Sequence, residues 1–479
     1  MISRIFLAIF CGVLVNTSFA NNKWYFAILG ISGLYYLLSK ADRKTRFIIL
    51  GTFGAIFFGL HLAWVRVLGD DAWFLLTLIS ALPWLLLGVL APKLSSTWSV
   101  VVFSAGVVAI EVVKSHVPWG GFPWGLIAFS QVDSPFIKFA PIGGQALVSF
   151  ITVLLSGLLI GLLFLRIRNL LLIISVFLIA LSLPNSEFVG SYNVTAIQGN
   201  VPRIGLELAS QRAAVLSNHL TVTRQYLNEI DDQSRANLII WPESSTDIDP
   251  IGNVDVGNQI SQLVKQGQIP ILVGATIWGE QPQGPRNAGI LWLQEGPQDI
   301  YLKNHLVPFG EYIPFRSVLS EYISRFEAIP NDFVPGNELG LFEVGGVNFG
   351  NVICFEIAFG DQIRQLVNSD AQFISVQTNN ATYGRTNQPE QQFQISRFRA
   401  IEHKRSVIVA STSGISGAID PNGVVLAKTP QFKPAIVATE LPLVEGKSFA
   451  DQYPRWAVFA CFMILFTWLF NTKVRKKIA

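Results

Sequence analysis

The chain has 479 residues, with 35 lysines and arginines against 32 aspartates and glutamates, so its formal net charge is only +3. This balance argues against a protein that binds nucleic acid through bulk positive charge. Hydrophobic residues make up 51% and charged residues 14%. That composition excludes a disordered chain and is typical of a membrane protein, or of a membrane part joined to a soluble part.

Long apolar runs occupy most of the first 186 residues, and one more lies near the end of the chain. Most are long enough to span the roughly 30 Å hydrocarbon core of a bilayer as helices, so we predict about eight transmembrane helices. The short runs 24–38 and 170–183 could instead be buried helices. The runs cover residues 5–20, 24–38, 47–67, 73–90, 98–113, 136–165, 170–183 and 456–470.

The first run also has the features of a secretory signal peptide. Arg4 precedes its apolar core, and Ser18-Phe19-Ala20 could be a cleavage site. We favour an uncleaved anchor over cleavage of residues 1–20. Both alternatives leave Asn21 outside the cytoplasm.

Basic residues in short loops predict the orientation in the membrane. If the spans alternate, one side carries nearly all the lysines and arginines, and we expect that side to be cytoplasmic. The other side holds Lys23, the acidic pair Asp70 and Asp71, and the loop 117–124. The basic residues are Arg4, Lys40, Arg43, Lys44, Arg46, Lys93, Arg166, Arg168, Lys473, Arg475, Lys476 and Lys477. The polar segment 187–454 is then extracytoplasmic.

The polar segment alternates short β-branched runs with amphipathic helical stretches, which indicates a layered α/β domain. We therefore predict transmembrane helices 1–7 in residues 1–186, the α/β domain in 187–454, and a last transmembrane helix with a basic cytoplasmic tail in 455–479. Predicted strands are 192–197, 236–241, 270–275, 288–293, 347–353, 372–377, 406–410, 416–420 and 435–439. Predicted helices are 205–230, 258–266, 359–367 and 391–403.

Cys354 is the only cysteine of the polar segment, since Cys11 and Cys461 lie in apolar runs. An internal disulfide there is impossible. Cys354 follows an apolar strand and precedes Glu356 by two residues. A lone cysteine is most often a buried core residue. The alternative is a nucleophile exposed by a turn at the strand end.

Two further segments place charged residues in apolar surroundings. The apolar run 238–241 ends at Pro242, and Glu243 follows it. The segment 301–312 contains Lys303 and Glu311. Taken separately, Glu243 could cap a helix and Lys303 could be a solvated surface charge. Taken with Cys354, they could form one site with a base, a cation and a nucleophile.

These residues carry a family resemblance. Glu243, Lys303 before His-Leu-Val-Pro-Phe-Gly-Glu, and the segment Cys-Phe-Glu at 354–356 resemble the Glu-Lys-Cys triad of the nitrilase, or carbon-nitrogen hydrolase, superfamily. Further segments resemble the apolipoprotein N-acyltransferase family over essentially the whole chain. They are Trp-Pro-Glu-Ser at 241–244, the stretch 301–312, the loop 120–125, Gln-Gly-Asn-Val-Pro at 198–202 and Arg-x-Arg-Ala-Ile-Glu at 397–402.

The resemblance implies a nitrilase-like domain with αββα layers, and a role for each matching residue. Cys354 would be the nucleophile, Glu243 the general base and Lys303 the cation that stabilises the oxyanion. Supporting positions are Glu311, Phe355 and Glu356, and substrate-binding positions are Phe309, Tyr312, Asn379 and Tyr383. No cofactor and no metal is expected, and the five histidines have no metal-ligand spacing.

One segment departs from the family pattern. The commonest pattern is Asn-Asp-Ala-Trp-Phe-Gly, whereas residues 379–384 are Asn-Asn-Ala-Thr-Tyr-Gly. Asn380 and Thr382 therefore replace an acid and a tryptophan. We expect this difference to affect the wall of the site on the acceptor side rather than the triad. The variant is more similar to the actinobacterial branch.

The predicted extracytoplasmic location limits which acyl donors the site could use. No supply of acyl-CoA is expected outside the cytoplasm, so the available acyl ester is a membrane phospholipid. The resemblance implies that the acceptor is the amino-terminal diacylglyceryl-cysteine of a lipoprotein. The stretch 309–329 is rich in aromatic and aliphatic residues; it could pack on the domain core or dip into the membrane beside the site.

Two rival functions remain open from the sequence. One is a membrane-anchored amidase of the same superfamily that uses water as the acceptor. It would need a single anchor rather than a bundle of helices. The other is a non-enzymatic lipid-binding protein with a vestigial triad. The presence of all three triad residue types argues against it.

Overall fold

In the computed structural model, the described residues are 1–90, 92–94, 96–162, 166–201, 213–231, 235–279, 284–319 and 331–478. They divide into two compact units. One comprises Met1–Asn185 with Ser448–Ala479, and the other Ser186–Lys447. Some sequence predictions lie partly outside the described residues: 163–165 of the apolar run 136–165, 205–212 of the helix 205–230, 320–329 of the apolar stretch 309–329, and residue 479 of the tail.

The first unit is helical because its sequence is apolar over many consecutive turns, with few charges to oppose burial. Helices α8 to α12 belong to the second unit. The helices of the first unit are α1 Ile2–Thr17, α2 Tyr25–Ser39, α3 Arg43–His61, α4 Asp70–Ala81, α5 Thr97–Lys114, α6 Ala140–Leu162, α7 Ile167–Ser182, α13 Phe449–Gln452 and α14 Trp456–Ile478. Short 3-10 segments are Ala63–Leu68, Leu82–Val89, Ile127–Gln131 and Pro135–Phe139.

Three helical stretches of the described chain are long and apolar enough to cross a membrane: Asp70–Val89, Thr97–Lys114 and Pro135–Leu162. Helices α1, α2 and α7 are shorter, at 15 or 16 residues. At about 1.5 Å per residue they fall short of a 30 Å hydrocarbon core. The first unit is thus a helical region with three long apolar helices, which is consistent with a membrane protein. This result is coarser than the sequence prediction of about eight transmembrane helices.

Local signals set several boundaries of these helices. The Asp42 side chain accepts a hydrogen bond from the Thr45 amide at the start of α3, and Ser96 accepts one from the Ser99 amide at the start of α5. Both are the N-caps that orphan amide groups require. Inside α6, Gly143 and Gly144 have non-helical backbone angles, so this helix is kinked near its beginning.

The second unit contains twelve described strands and five described helices. The strands are β1 Gly190–Gln198, β2 Leu238–Ile240, β3 Ile271–Trp278, β4 Pro285–Leu293, β5 Gly296–Leu302, β6 Leu341–Val344, β7 Val347–Ile353, β8 Phe373–Thr378, β9 Ser406–Ser411, β10 Gly417–Ile419, β11 Val425–Lys428 and β12 Ala435–Leu443. The helices are α8 Ala214–Glu229, α9 Val254–Gly267, α10 Arg316–Leu319, α11 Gly360–Asn368 and α12 Gln388–His403.

The strands form two mixed six-stranded sheets, in the orders β12-β1-β2-β3-β4-β5 and β11-β10-β9-β8-β7-β6. In the first sheet β1, β2 and β3 are parallel neighbours, and in the second β7, β8 and β9 are. The remaining pairs are antiparallel. The sequence missed β5, β6 and β11, because β6 and β11 have four residues each and β5 is largely polar and exposed.

Alternation along β2 shows how the layers pack. Leu238 and Ile240 join a core cluster with residues of the second sheet, such as Phe349 and Ile408. Ile239 points the other way, into a cluster with side chains of α8 and α9. This is the two-residue period of a strand with both faces buried. On the second sheet, α11 packs against β7 and α12 against β9.

A polar ladder ties the two sheets together. Gln377 on β8 donates to the carbonyl oxygen of Trp241 at 2.7 Å, and Asn351 on β7 donates to Gln377 at 2.8 Å. Gly289 on β4 leaves room for this contact, since a Cβ there would lie 2.5 Å from the Asn351 amide nitrogen. The ladder fixes the end of β2, which carries Glu243, against the strand that precedes Cys354.

Candidate active site

Three strand ends bring Glu243, Lys303 and Cys354 into one buried site. Glu243 follows β2 after Trp241 and Pro242, Lys303 comes directly after β5, and Cys354 directly after β7. Their exposed fractions are 6%, 1% and 7%. The structure therefore brings together the three residues that the sequence proposed as base, cation and nucleophile.

The Glu243 carboxylate is held by three donors. Its Oε1 accepts hydrogen bonds from Asn287 Nδ2 at 2.7 Å and from Lys303 Nζ at 3.1 Å. Its Oε2 accepts one from the Asn379 amide at 2.8 Å. These contacts fix the rotamer of the carboxylate, as a group that moves protons to and from one position requires.

Lys303 lies between two carboxylates. Its Nζ is 3.1 Å from Glu243 Oε1 and 2.9 Å from Glu311 Oε1. Burial opposes the charge on the amine, but Glu243 and Glu311 outweigh it and hold the pKa of Lys303 well above its usual value. The side chain therefore presents a fixed positive charge to the site.

Sequence reasoning missed Asn287. From β4 its Nδ2 donates both to Glu243 at 2.7 Å and to Glu311 at 2.9 Å. Glu311 is fixed further by the Val307 amide, which donates to Oε2 at 2.8 Å. The feature of the sequence that could have identified Asn287 is a single amide side chain among the apolar residues of a buried strand.

Cys354 has an unusual backbone conformation. Its φ is +56°, in the left-handed region that residues with a Cβ rarely occupy, and it begins a 3-10 turn, Cys354–Ala358. Burial, followed by the charge of Glu243, raises the pKa of its thiol to about 12, while Lys303 and a hydrogen bond from Thr378 lower it. At neutral pH the Cys354 side chain is therefore a neutral thiol.

Glu356 connects the turn that begins at Cys354 to the segment after β5. Its buried carboxylate accepts hydrogen bonds from the amides of Ile353 at 2.7 Å, Asn304 at 2.7 Å and His305 at 3.0 Å. The Tyr301 hydroxyl donates to the same carboxylate at 2.8 Å. Glu356 thus holds the residues after Lys303 against the residue before Cys354. Tyr301 was not identified from the sequence.

Two expected substrate-binding residues, Asn379 and Tyr383, contact or adjoin the triad. The Asn379 amide binds Glu243, while its side chain accepts a hydrogen bond from the Ala381 amide at 3.1 Å. Burial, and then the charges of Cys354, Glu243 and Glu311, raise the pKa of the Tyr383 hydroxyl well above its usual value, while Lys303 lowers it. The Tyr383 hydroxyl therefore lies within the electrostatic field of these four groups.

The other expected residues form the surroundings of the site. Phe355 is buried and packs perpendicular to Phe359, with ring centroids 5.1 Å apart. Phe309 has a φ of +64° and its amide donates to the Tyr312 carbonyl oxygen at 2.7 Å, closing a tight turn. Phe309 and Tyr312 are both partly exposed. They offer an apolar surface on the loop that carries Glu311.

Asn380 does not lie where the sequence placed it. It is 2% exposed, and its side chain is bonded to Gln388, Gln392 and Ser411. It therefore belongs to the packing behind Cys354 rather than to a wall that an acceptor would touch.

A metal site is not formed by the described residues, among which no group of three or more His, Cys, Asp or Glu side chains could hold an ion. The carboxylates of Glu243, Glu311 and Glu356 are instead engaged by protein donors.

Two family models match successive parts of the chain. The apolipoprotein N-acyltransferase N-terminal domain matches residues 11–158, and carbon-nitrogen hydrolase matches residues 193–451. An apolipoprotein N-acyltransferase of Mycolicibacterium smegmatis is 34% identical over 66% of this chain and 58% of that protein. One of Haemophilus ducreyi is 27% identical over 95% of this chain and 94% of that protein. A solved amidase from Nesterenkonia is 16% identical, with a TM-score of 0.40 over 54% of this chain and 92% of that chain.

The carbon-nitrogen hydrolase match covers more than half of the sequence and includes all three residues of the buried site. The chain therefore belongs to the carbon-nitrogen hydrolase superfamily. Because the N-terminal domain also matches, and relatives align along nearly the full length, the chain belongs to the apolipoprotein N-acyltransferase family. The sequence resemblance to this family is confirmed.

Proposed function

We propose that this chain transfers an acyl chain from a membrane phospholipid, through a thioester on Cys354, to the amino-terminal amine of a diacylglyceryl-cysteine in lipoproteins. The observation that carries the proposal is the buried arrangement of Glu243, Lys303 and Cys354 in a chain whose N-terminal part matches the acyltransferase domain. The Glu-Lys-Cys chemistry supplies the covalent intermediate, and the helical region accounts for a lipid donor.

In the first step the Cys354 sulfur attacks the ester carbonyl carbon of the phospholipid. The thiol is neutral at rest, so its proton passes to the Glu243 carboxylate as the carbon–sulfur bond forms. Negative charge develops on the carbonyl oxygen, and the Lys303 ammonium stabilises it, a contact of the kind that contributes about 3 kcal/mol at a transition state. The carbon–oxygen bond then breaks, and Glu243 returns the proton to the leaving alkoxide. The products are a lysophospholipid and the acyl-Cys354 thioester.

In the second step the acceptor amine attacks the thioester carbonyl. The nitrogen loses a proton to Glu243, the carbon–sulfur bond breaks, and the same proton is delivered to the Cys354 sulfur. The products are an amide and the starting thiol. Because the lysophospholipid leaves before the amine reacts, the kinetics are ping-pong.

The surrounding residues support these steps. Glu311 neutralises and orients Lys303. Glu356 holds the end of β7 and the segment after β5 together through its hydrogen bonds. Phe355 packs beside the nucleophile turn. The substrate-binding positions in this proposal are Phe309, Tyr312, Asn379 and Tyr383.

The proposal places the chain in the bacterial plasma membrane as a multi-pass protein of about eight spans. Residues 1–186 and 455–479 supply the spans, and the nitrilase-like domain of αββα layers, 187–454, is extracytoplasmic. The excess of basic residues in alternate short loops supports this orientation. An extracytoplasmic site in turn favours a phospholipid donor over acyl-CoA.

A second candidate function is amide hydrolysis by a membrane-anchored enzyme, which the carbon-nitrogen hydrolase match favours. The two functions differ in the fate of the thioester: an amine takes the acyl group in one, and water takes it in the other. The match of residues 11–158 to the acyltransferase N-terminal domain favours the amine.

The test uses the full chain in detergent with a phospholipid that carries one isotopically labelled acyl chain. A synthetic peptide with an amino-terminal diacylglyceryl-cysteine is the acceptor, and the same peptide with an acetylated amine is its control. We expect the label in an amide on the free-amine peptide only. Label released as free fatty acid at the same rate with either peptide would show that water, and not the amine, takes the acyl group, and would contradict the proposal.

A further inference from the structure

A buried polar network lies behind the nucleophile and has no part in the steps described above. It consists of Thr378 at the end of β8, Asn380 just after it, and Gln392 on α12, with exposed fractions of 1%, 2% and 2%. Gln392 Nε2 donates to the carbonyl oxygen of Cys354 at 3.0 Å and to Thr378 Oγ1 at 3.1 Å. One side chain thus contacts both the nucleophile's backbone and its neighbouring hydroxyl.

The orientation of the Gln392 amide is fixed by its neighbours. Its Oε1 accepts hydrogen bonds from Asn380 Nδ2 at 2.8 Å and from Gln388 Nε2 at 3.1 Å. An amide oxygen has two lone pairs, so these two donors fill it. Asn380 is oriented in turn by the Ser411 hydroxyl, which donates to Asn380 Oδ1 at 2.8 Å. The Gln392 N–H groups must therefore face Cys354 and Thr378.

This orientation determines where the Thr378 hydroxyl points. Thr378 Oγ1 already accepts from Gln392, so its own proton needs an acceptor. The Thr378 hydroxyl reaches Gln392 Oε1 at 3.2 Å, which two closer donors already occupy. The same hydroxyl lowers the pKa of the Cys354 thiol, so the sulfur is the acceptor that we infer for its proton. Donation to the sulfur stabilises the thiolate over the thiol, against the effect of burial.

The same network supports the strained backbone of Cys354. A residue with a Cβ at a φ of +56° is strained, and it keeps this conformation only where its surroundings hold it there. The bond from Gln392 to the Cys354 carbonyl oxygen is one such constraint. Without it, the turn can relax and move the sulfur away from Glu243 and Lys303.

We propose that Gln392 is a positioning residue for the nucleophile, which holds the Cys354 backbone and turns the Thr378 hydroxyl toward the sulfur. The inference rests on the proposed role of Cys354. It also accounts for an amide at position 380, because an aspartate there would place a carboxylate oxygen against Gln392 Oε1. Gln392 would then rotate to donate to the acid, and the Cys354 carbonyl would lose its donor.

The test is the rate of Cys354 alkylation by iodoacetamide in the purified full chain, followed by peptide mass spectrometry from neutral to mildly alkaline pH. At a given pH this rate follows the thiolate fraction. The titratable groups facing the sulfur are Glu243, Lys303, Glu311 and Tyr383, and all are unchanged in the variants below. A difference in alkylation rate between a variant and the wild type therefore measures the effect of the hydrogen-bond network on the Cys354 thiol.

Thr378→Val removes the hydroxyl at nearly constant volume, and we expect the rate to fall about 10-fold, which corresponds to one pKa unit. Thr378→Ser keeps the hydroxyl and should recover most of the rate. Asn380→Asp should lower both the alkylation rate and the rate of acylation by phospholipid. Unfolding temperatures of all variants separate these effects from misfolding.

The outcomes separate this inference from the proposed function. Alkylation needs no phospholipid, so a wild-type chain that never forms a thioester would refute the proposed function and leave the alkylation comparison intact. Wild-type alkylation rates in both Thr378→Val and Asn380→Asp, with normal thioester formation, would refute the role of Gln392 and leave the proposed function standing.

Discussion

One amide nitrogen of Asn287 donates to both Glu243, at 2.7 Å, and Glu311, at 2.9 Å, and Lys303 bridges the same two oxygens. Two negative charges are thus held side by side by one cation and one neutral amide. This arrangement orients the proposed base and the proposed oxyanion cation together. Each depends on the other for its position.

Asn287→Asp should reduce thioester formation about 100-fold. The change replaces two charge-assisted hydrogen bonds, each worth about 1.5–3 kcal/mol, with repulsion among three carboxylates. The rate is measured by mass spectrometry after mixing with phospholipid. Asn228→Asp makes the same chemical change at an exposed position of α8 and is the matched control. Equal rates in the two variants would contradict the role of Asn287.

Lys303→Met should abolish transfer and also destabilise the fold. It leaves Glu243 and Glu311 buried without their cation, and breaking a buried pair in this way typically costs about 3–5 kcal/mol. The double variant Lys303→Met with Glu311→Gln should regain part of the unfolding temperature, although not the activity. A double variant less stable than the single one would show that repulsion is not the cause.

Glu243→Gln should have opposite effects on two reactions of Cys354. The negative charge of Glu243 raises the pKa of the thiol, and Lys303 lowers it. Without the carboxylate, the thiol pKa falls, so alkylation by iodoacetamide at a given pH becomes faster. Transfer from phospholipid is lost because no base remains. Slower alkylation in this variant would show that Glu243 does not face the sulfur.

Tyr301→Phe should lower the rate of thioester formation about 10-fold. Glu356 keeps its backbone donors but loses the hydroxyl that orients it, a loss of about 1–2 kcal/mol. Tyr192→Phe is the matched control, because its hydroxyl donates to the Val344 carbonyl at 3.2 Å and not to Glu356. That control should cost stability without lowering the rate. The prediction fails if both variants keep the wild-type rate.

Acid should destabilise the chain through Glu402. Burial opposes the charge on this residue, but Arg399 and His403 overcome it and lower the pKa to about 2. The folded pKa lies below the unfolded one, so this stabilisation is present above the usual pKa of a glutamate and is lost as the pH falls toward 2. It is on the order of 3 kcal/mol.

Unfolding temperature against pH measures this effect in the full chain. Glu402→Gln should be less stable than wild type near neutral pH, and the difference should shrink as the pH falls toward 2. A difference that stays constant with pH would exclude the Glu402 carboxylate as its source.

Two residues of the candidate site could be predicted because they follow the ends of apolar strands. Glu243 comes after Pro242, and Cys354 comes at the end of a β-branched run. Such a break in an apolar pattern can be recognised from the sequence alone. Asn287, Tyr301 and Gln392 lie inside regular elements, where periodicity assigns a face but not a partner across the fold. Their roles depend on which strands become neighbours, and β5 was not predicted.

The helical first unit shows a different limit. Apolar composition predicted helices throughout residues 1–186, and the structure has helices there. Composition alone does not give helix length: α2 ends at Ser39, whereas α6 continues through a kink at Gly143 and Gly144. For Asn380, the sequence does not show which way the side chain points: the amide of its neighbour Asn379 binds Glu243, whereas the Asn380 side chain lies in the core.

The central claim is that Cys354 carries the acyl group, and the mass of its peptide tests this most directly. The full chain is mixed with a phospholipid of one defined acyl composition and no acceptor, then quenched in acid and digested. We expect one acyl chain on the peptide containing Cys354, removed by hydroxylamine and absent from Cys354→Ala. Acyl groups on another residue, or transfer to an acceptor that Cys354→Ala still catalyses, would contradict the account.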